Sequence, residues 1–210
     1  MIEKTTTPRL QEFHVQQLAV LIDLIGQHIR NFATELTAMI RVLWPMLHLH
    51  LALVKLVEAL ARALDTEFRP FLPTIVPLTL SVFDDDYTTR GETAKIHILR
   101  AITAIGGCIE DYLHLIVPAM CRPLEAPEAQ PPLKQASAKA IHGLALRMDV
   151  LNHAARLVLA LVRNLEIPDL LLRAAIMDVL SVFMVQMEEN FAFFIPVVSK
   201  VGRVMAAAVK

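Results

Sequence analysis

The residues of this 210-residue chain with which chemistry would begin are eight histidines, two cysteines and a run of three aspartates, Asp84-Asp85-Asp86. A metal centre on a helix needs ligands about three or four residues apart, so that they share a face. His14, His28, His48, His50, His97, His114, His142 and His153 offer no such pair, and His48 and His50, two positions apart, point to different faces of a helix. The Asp84–Asp86 carboxylates suit Mg²⁺, which takes one or two carboxylates with phosphate and water, but their place between two apolar runs favours capping of helix N–H groups. Cys108 and Cys121 lack CxxC spacing and read as small buried hydrophobes in a reducing compartment. The six glycines form neither G-x-G-x-x-G nor a Walker A loop, and no DFG or HRD triplet is present. No residue is assigned a catalytic, cofactor-binding or metal-binding role on these grounds. Met177, Met184 and Met187 have helical spacing that fits either an adaptable groove or core packing.

Composition bounds what the elements must be. Apolar residues make up 55% of the chain and aromatics only 6%, which favours aliphatic helices and an all-α fold. Twenty basic and 21 acidic residues leave a formal net charge of −1, with no electrostatic footprint for nucleic acid. Mean hydropathy is +0.51, but the longest uncharged run, 70–83, is too short to span a bilayer and carries Pro70, Pro73 and Pro77, and 170–187 holds Arg173 and Asp178. These are expected to be buried helices rather than membrane spans. The start, MIEKTTTPRLQ, has no signal-peptide pattern, so a cytoplasmic location is expected.

Periodicity predicts about ten helices, at 9–29, 32–44, 46–64, 69–83, 89–109, 111–124, 132–147, 150–165, 168–188 and 190–208. Leu53, Leu56, Val57, Leu60 and Leu64 draw one apolar stripe, and Leu172, Ile176, Val179, Leu180, Phe183 and Met187 draw another. An internal repeat organises them. Phe71, Tyr112, His153 and Phe194 are evenly spaced, each opening a similar aliphatic run, and Phe32 stands a slightly shorter step before Phe71. A period near 40 with two helices per unit predicts an α-α superhelix of HEAT/armadillo-type repeats in roughly five antiparallel pairs. The chain is then a single repeat segment, 1–210, with approximate units 9–44, 32–64, 69–109, 111–147, 150–188 and 190–208, the first and last partial.

Acid followed by base marks the turns within these units: Asp84 and Asp86 before Arg90, Glu125 and Glu128 before Lys134, Glu166 and Asp169 before Arg173. Carboxylates there cap the second helices and complement their dipoles. Pro168 and Pro131-Pro132 stand where second helices begin, whereas Pro73, Pro77, Pro118 and Pro196 are expected inside first helices, as kinks. Both end helices are apolar, which predicts an interior portion of a longer array.

Particular strings then carry a resemblance. QHIRNF at 27–32, EALARALDTEFRPFLPTIVP at 58–77, EDYLHLIVPAMCRPLEAPEAQPP at 110–132 and RAAIMDVLSVF with FIPVVSKV at 173–201 resemble consecutive repeats of target-of-rapamycin (TOR) serine/threonine protein kinases, over about Gln17 to Val201. The link at Trp44-Pro45 is shorter than is usual there. The resemblance implies a parent kinase whose FAT and catalytic domains, with their ATP and Mg, lie elsewhere. It implies that this segment is a non-catalytic scaffold in nutrient and growth signalling. As partners it implies raptor-type or rictor-type subunits and a second TOR chain, and as location the cytoplasm, with membrane association through the parent complex. The alternative is a generic HEAT adaptor such as a transport receptor or phosphatase scaffold. Light scattering on the isolated chain tests the uncapped ends: self-association is expected, and a monodisperse monomer at high concentration contradicts it.

Overall fold

The structure is a computed structural model and describes residues 7–83, 88–196 and 198–199. Among the described residues there are nine α-helices and no strand: α1 Pro8–Ile25, α2 Ala33–Leu43, α3 His50–Leu64, α4 Leu72–Leu80, α5 Thr89–Ile105, α6 Leu113–Glu125, α7 Pro131–Ala145, α8 Ala154–Arg163 and α9 Leu170–Met187. The fold is all-α and built of helical pairs, the repeat class read from the sequence. The odd-numbered helices are long, at 15 to 18 residues, and the even-numbered ones shorter, at 9 to 13. The helices gather into two compact units, one running to Tyr112 and the other starting at Leu113. In the first, α3 lies between α1 and α5, and α2 packs on α4. In the second, α7 packs on α9, and α6 touches both α7 and α8.

The two apolar stripes explain this stacking. Leu53, Leu56, Val57, Leu60 and Leu64 are all buried in α3, each stabilising the layer by roughly 1.5–3 kcal/mol relative to exposure. Leu172, Ile176, Val179, Leu180 and Phe183 are likewise buried in α9, with Met187 only half-buried. Met177 and Met184 lie on the exposed side of α9, so core packing does not account for them. The stretch Leu170–Phe194 is long and apolar enough to cross a membrane by length and composition alone. A core helix passes the same test, and here the α-helix stops at Met187 with one face buried in its own unit.

The long helices end sooner than the apolar pattern does, and the backbone shows why. Gly26, Asp65, Gly106 and Glu188, directly after α1, α3, α5 and α9, have φ of 54°, 45°, 50° and 48°. At the first three, the amide still returns to a carbonyl of the last helical turn, that of Ile22, Ala61 and Ile102. The chain then leaves the α-helix for a 3-10 turn: Gly26–Phe32, Asp65–Phe71, Gly106–Cys108 with Glu110–Tyr112, and Glu188–Phe194. These turns end on Phe32, Phe71, Tyr112 and Phe194, and Leu151–His153 ends on His153, the five positions that set the period. Three positions before each, Ile29, Phe68, Ile109, Val150 and Phe191 are at most 5% exposed. Each plugs its turn into the core of its unit.

Other departures follow from the same turns. Pro73 lies in the first turn of α4, where its missing N–H costs no bond, so it is no kink. Pro196 is similarly placed, second in a helical stretch that starts at Ile195. Pro77 and Pro118 are interior to α4 and α6, as expected, and Pro123 joins Pro118 there. Residues 190–194 are 3-10 rather than α-helical, and most of the remaining expected helix lies outside the described residues. The α7–α8 link lacks the positive φ; instead the Leu151 amide donates to Asp149 Oδ1 at 2.8 Å, and Gln186 Nε2 donates to the Ala145 carbonyl at 2.5 Å.

Four equivalent positions, two glycine and two not, give a backbone test. A Cβ at Gly26 would meet nothing within 4 Å, so Gly26→Ala isolates the conformational cost; a loss of about 1–2 kcal/mol is expected in chemical denaturation. Asp65→Gly is expected to move stability the other way. Equal stabilities for both variants and the parent would show that the reversal carries no strain.

Candidate functional site

Helical spacing sets Gln16, Val20 and Asp23 of α1, Lys55, Glu58 and Arg62 of α3, and His97 and Arg100 of α5 on one side of their layer. With Gln17 and Ala19 they line a cleft of about 470 Å³. A chain of polar contacts crosses it. Arg62 Nη1 donates to Asp23 Oδ1 at 2.7 Å and Arg62 Nη2 to Glu58 Oε1 at 2.7 Å. The other Glu58 oxygen, Oε2, lies 2.5 Å from His97 Nδ1. Glu58 is buried, and burial alone would push its carboxyl up. The hydrogen bond with His97 and the charges of His97, Arg62 and Arg100 outweigh that, holding it below the ordinary carboxylate value.

Chemically, this arrangement holds opposite charges at fixed positions. A carboxylate–imidazole pair becomes catalytic when it activates a nucleophile, and the described lining residues include no hydroxyl or thiol. The thiols lie elsewhere. Burial pushes Cys121 up to about 11, and Cys108 is also raised, by burial and by Asp65, with Arg69 opposing. Cys108 Sγ faces the Thr66 carbonyl at 3.6 Å. The neighbouring histidines have separate partners: His48 Nε2 lies 3.2 Å from Gln11 Oε1, and His50 Nε2 lies 2.7 Å from the Trp44 carbonyl. Among the described residues no three His, Cys, Asp or Glu side chains are gathered in a way that could hold a metal ion.

The residues singled out at the turns are Asp84, Asp86, Arg90, Glu166, Asp169 and Arg173. Asp84 and Asp86 lie outside the described residues. Arg90 Nη2 donates to the His48 carbonyl at 2.5 Å and stands 3.9 Å from Glu12 Oε1. Asp169 is the N-cap of α9, its Oδ1 accepting from the Leu172 amide at 2.7 Å. Arg173 Nε donates to the Leu165 carbonyl at 3.0 Å, and Glu166 is exposed in the Asn164–Glu166 turn. Lys134 reaches a neutral partner, Asn164, whose Oδ1 accepts from Nζ at 3.1 Å. Asn164 Nδ2 in turn donates to the Leu124 and Ala160 carbonyls, both at 2.8 Å. Burial lowers the Lys134 amine from the ordinary lysine value, with Glu128 opposing.

Exposed carboxylate–guanidinium pairs appear at the other set of turns, Arg30–Glu67 at 3.7 Å and Arg69–Asp111 at 3.3 Å. Exposed pairs of this kind add little stability. The cleft residues went unread in the sequence, although their signal was there: Asp23 and Arg62, like Glu58 and His97, are separated by the same interval as Phe32 and Phe71.

The fold and the cleft define a helical-repeat segment with a charged cleft on one unit. No family model matches the chain. It is similar over nearly its whole length to one segment of TOR-type serine/threonine protein kinases. Identity is 30% over 200 residues, 95% of this chain, with serine/threonine-protein kinase TOR2 of Saccharomyces cerevisiae. It is 32% over 191 residues, 90% of this chain, with serine/threonine-protein kinase tor1 of Schizosaccharomyces pombe. With serine/threonine-protein kinase TOR of Arabidopsis thaliana it is 28% over 207 residues. The resemblance read from the strings at 27–201 therefore holds, and the chain spans about 8% of the length of each of these relatives.

Two outcomes are expected of the polar groups. Because the folded Glu58 value is depressed, its contribution is full above the ordinary carboxylate range and is lost as pH falls through that range toward the folded value. Glu58→Gln should lower stability by about 1–3 kcal/mol at neutral pH and flatten the acid limb of a stability–pH curve. An unchanged acid limb would show that the pair is not coupled to folding. Asn164→Ala, which strands the Lys134 amine and two carbonyls, should cost about 2–4 kcal/mol in urea denaturation.

Proposed function

We propose that this segment is a non-catalytic scaffold within a TOR-type protein kinase, supporting dimerisation and the docking of regulatory subunits. The observation that carries the reading is the similarity to one segment of several TOR kinases across 90–95% of the chain. The architecture supports it physically. A layer of long helices holds residues one repeat apart at fixed positions and lines a cleft between α1, α3 and α5, and repeat proteins build binding surfaces in this way. On this reading ATP and Mg belong to the parent's kinase domain, protein partners of the raptor or rictor type and a second kinase chain are what the segment serves, and the location is cytoplasmic.

A chimera tests it. The matching segment of the Saccharomyces TOR2 kinase is replaced by this chain, either intact or with residues 71–111 excised, one full period whose removal leaves the remaining repeats in register. The intact chimera is expected to co-purify with its kinase partner chain and a raptor-type or rictor-type subunit, and the excised one to lose at least one of them while its kinase domain still turns over ATP. Retention of every partner by the excised chimera would overturn the docking role.

A further inference from the structure

The α1–α3–α5 cleft contains more positive charge than its own carboxylates use. Both Arg62 Nη groups are engaged, by Asp23 and Glu58, and both Glu58 oxygens are engaged, by Arg62 and His97. Lys55 and Arg100 line the same cleft; Arg100 acts on Glu58 through its charge, but among the described residues neither cation is within ion-pair distance of a carboxylate. Arg100 is exposed and Lys55 half-buried, so each ammonium or guanidinium is open to a ligand. Lys55, Arg62 and Arg100 outnumber Asp23 and Glu58 in the lining of the cleft. Exposed Gln17 adds an amide donor, and Val20, 53% exposed, adds an apolar contact on the α1 side.

We infer that this cleft binds a carboxylate-rich peptide segment of a protein partner, with Lys55 and Arg100 as the residues that receive its carboxylates. The inference rests on the scaffold reading and names the chemistry of one partner contact. The size of the site favours a peptide over a small anion: the cleft spans three helices and about 470 Å³, and its two open cations stand on different helices, α3 and α5. A chain with carboxylates on successive side chains engages both at once, and the second contact is then intramolecular. The contacts of Arg62 with Asp23 and Glu58 hold its guanidinium, leaving Lys55 and Arg100 to set the preference.

The test uses the intact chain, a fluorescein-labelled octa-glutamate peptide, an octa-lysine control, and fluorescence anisotropy at low and moderate salt. Octa-glutamate is expected to bind with an affinity that falls as salt rises, and octa-lysine not to bind. Lys55→Gln/Arg100→Gln should weaken binding at least about tenfold, as expected for two lost charge-assisted contacts. Lys55→Arg/Arg100→Lys should restore most of it, and thermal melts of both variants should match the parent. Absence of octa-glutamate binding, or equal binding by the Gln variant, overturns the inference. So does inorganic phosphate displacing the peptide at equal concentration, which would make the cleft a simple anion site. If octa-glutamate fails to bind while the 71–111 excision still costs the chimera a subunit, the scaffold reading stands and this ligand falls. Binding accompanied by full subunit retention separates the two the other way.

Discussion

The reversal of the backbone at φ near +50° after α1, α3, α5 and α9 is the constraint on which the rest of the molecule depends. It stops a long helix whose apolar sequence would otherwise continue, and it commits the chain that follows to a tight turn. That turn seats one buried side chain, Ile29, Phe68, Ile109 or Phe191, and ends on an aromatic residue, Phe32, Phe71, Tyr112 or Phe194. Once the turn is fixed, the following long helix of the same unit lies beside the one a repeat before it. Neighbours in space are then 39 to 43 positions apart in sequence, as the Asp23–Arg62, Glu58–His97, Arg69–Asp111 and Cys108–Asp65 contacts all show.

This arrangement separates two kinds of energy. Apolar stripes supply the lateral cohesion of each layer, and it is non-directional. The polar groups contribute direction. A buried carboxylate such as Glu58 is tolerable only because both its oxygens are occupied, one from its own helix and one from the next. Asn164 does the comparable work in the second unit, using a neutral amide to satisfy two carbonyls and a buried amine at once. Neither group would gain much from a longer apolar neighbour, and each penalises any slip of one helix past another.

Much of the fold was legible because it repeats. The spacing of Phe32, Phe71, Tyr112, His153 and Phe194 located five equivalent turns, and the α3 and α9 stripes located their buried faces. Helix ends were not legible, since no residue type marks them uniformly: glycine takes the reversed φ at 26 and 106, yet Asp65 and Glu188 take it too, against their own preference. Pro73 misled for a related reason. The helix expected from 69 puts Pro73 inside it, whereas the chain stays in a 3-10 turn to Phe71 and α4 starts only at Leu72. The cleft was not legible because its charged members are ordinary residues scattered over three segments of sequence, in α1, α3 and α5. They become a site only when charge, rather than apolar character, is read at the period.

The repeats are unequal in one place, and the location of the shortfall is informative. The span from Phe32 to Asp65 is two positions shorter than the equivalent span from Phe71 to Gly106. A deletion of that size within α3 would rotate everything beyond it by roughly 200° about the helix axis. Glu58 and Arg62 would then face away from Asp23 and His97. Placed instead in the short link between α2 and α3, around Trp44-Pro45, the same shortening leaves the helical phase intact. Changes of chain length in such an array are thus confined to links by rotation alone, and a history of insertions and deletions can accumulate there without disturbing a single lateral contact.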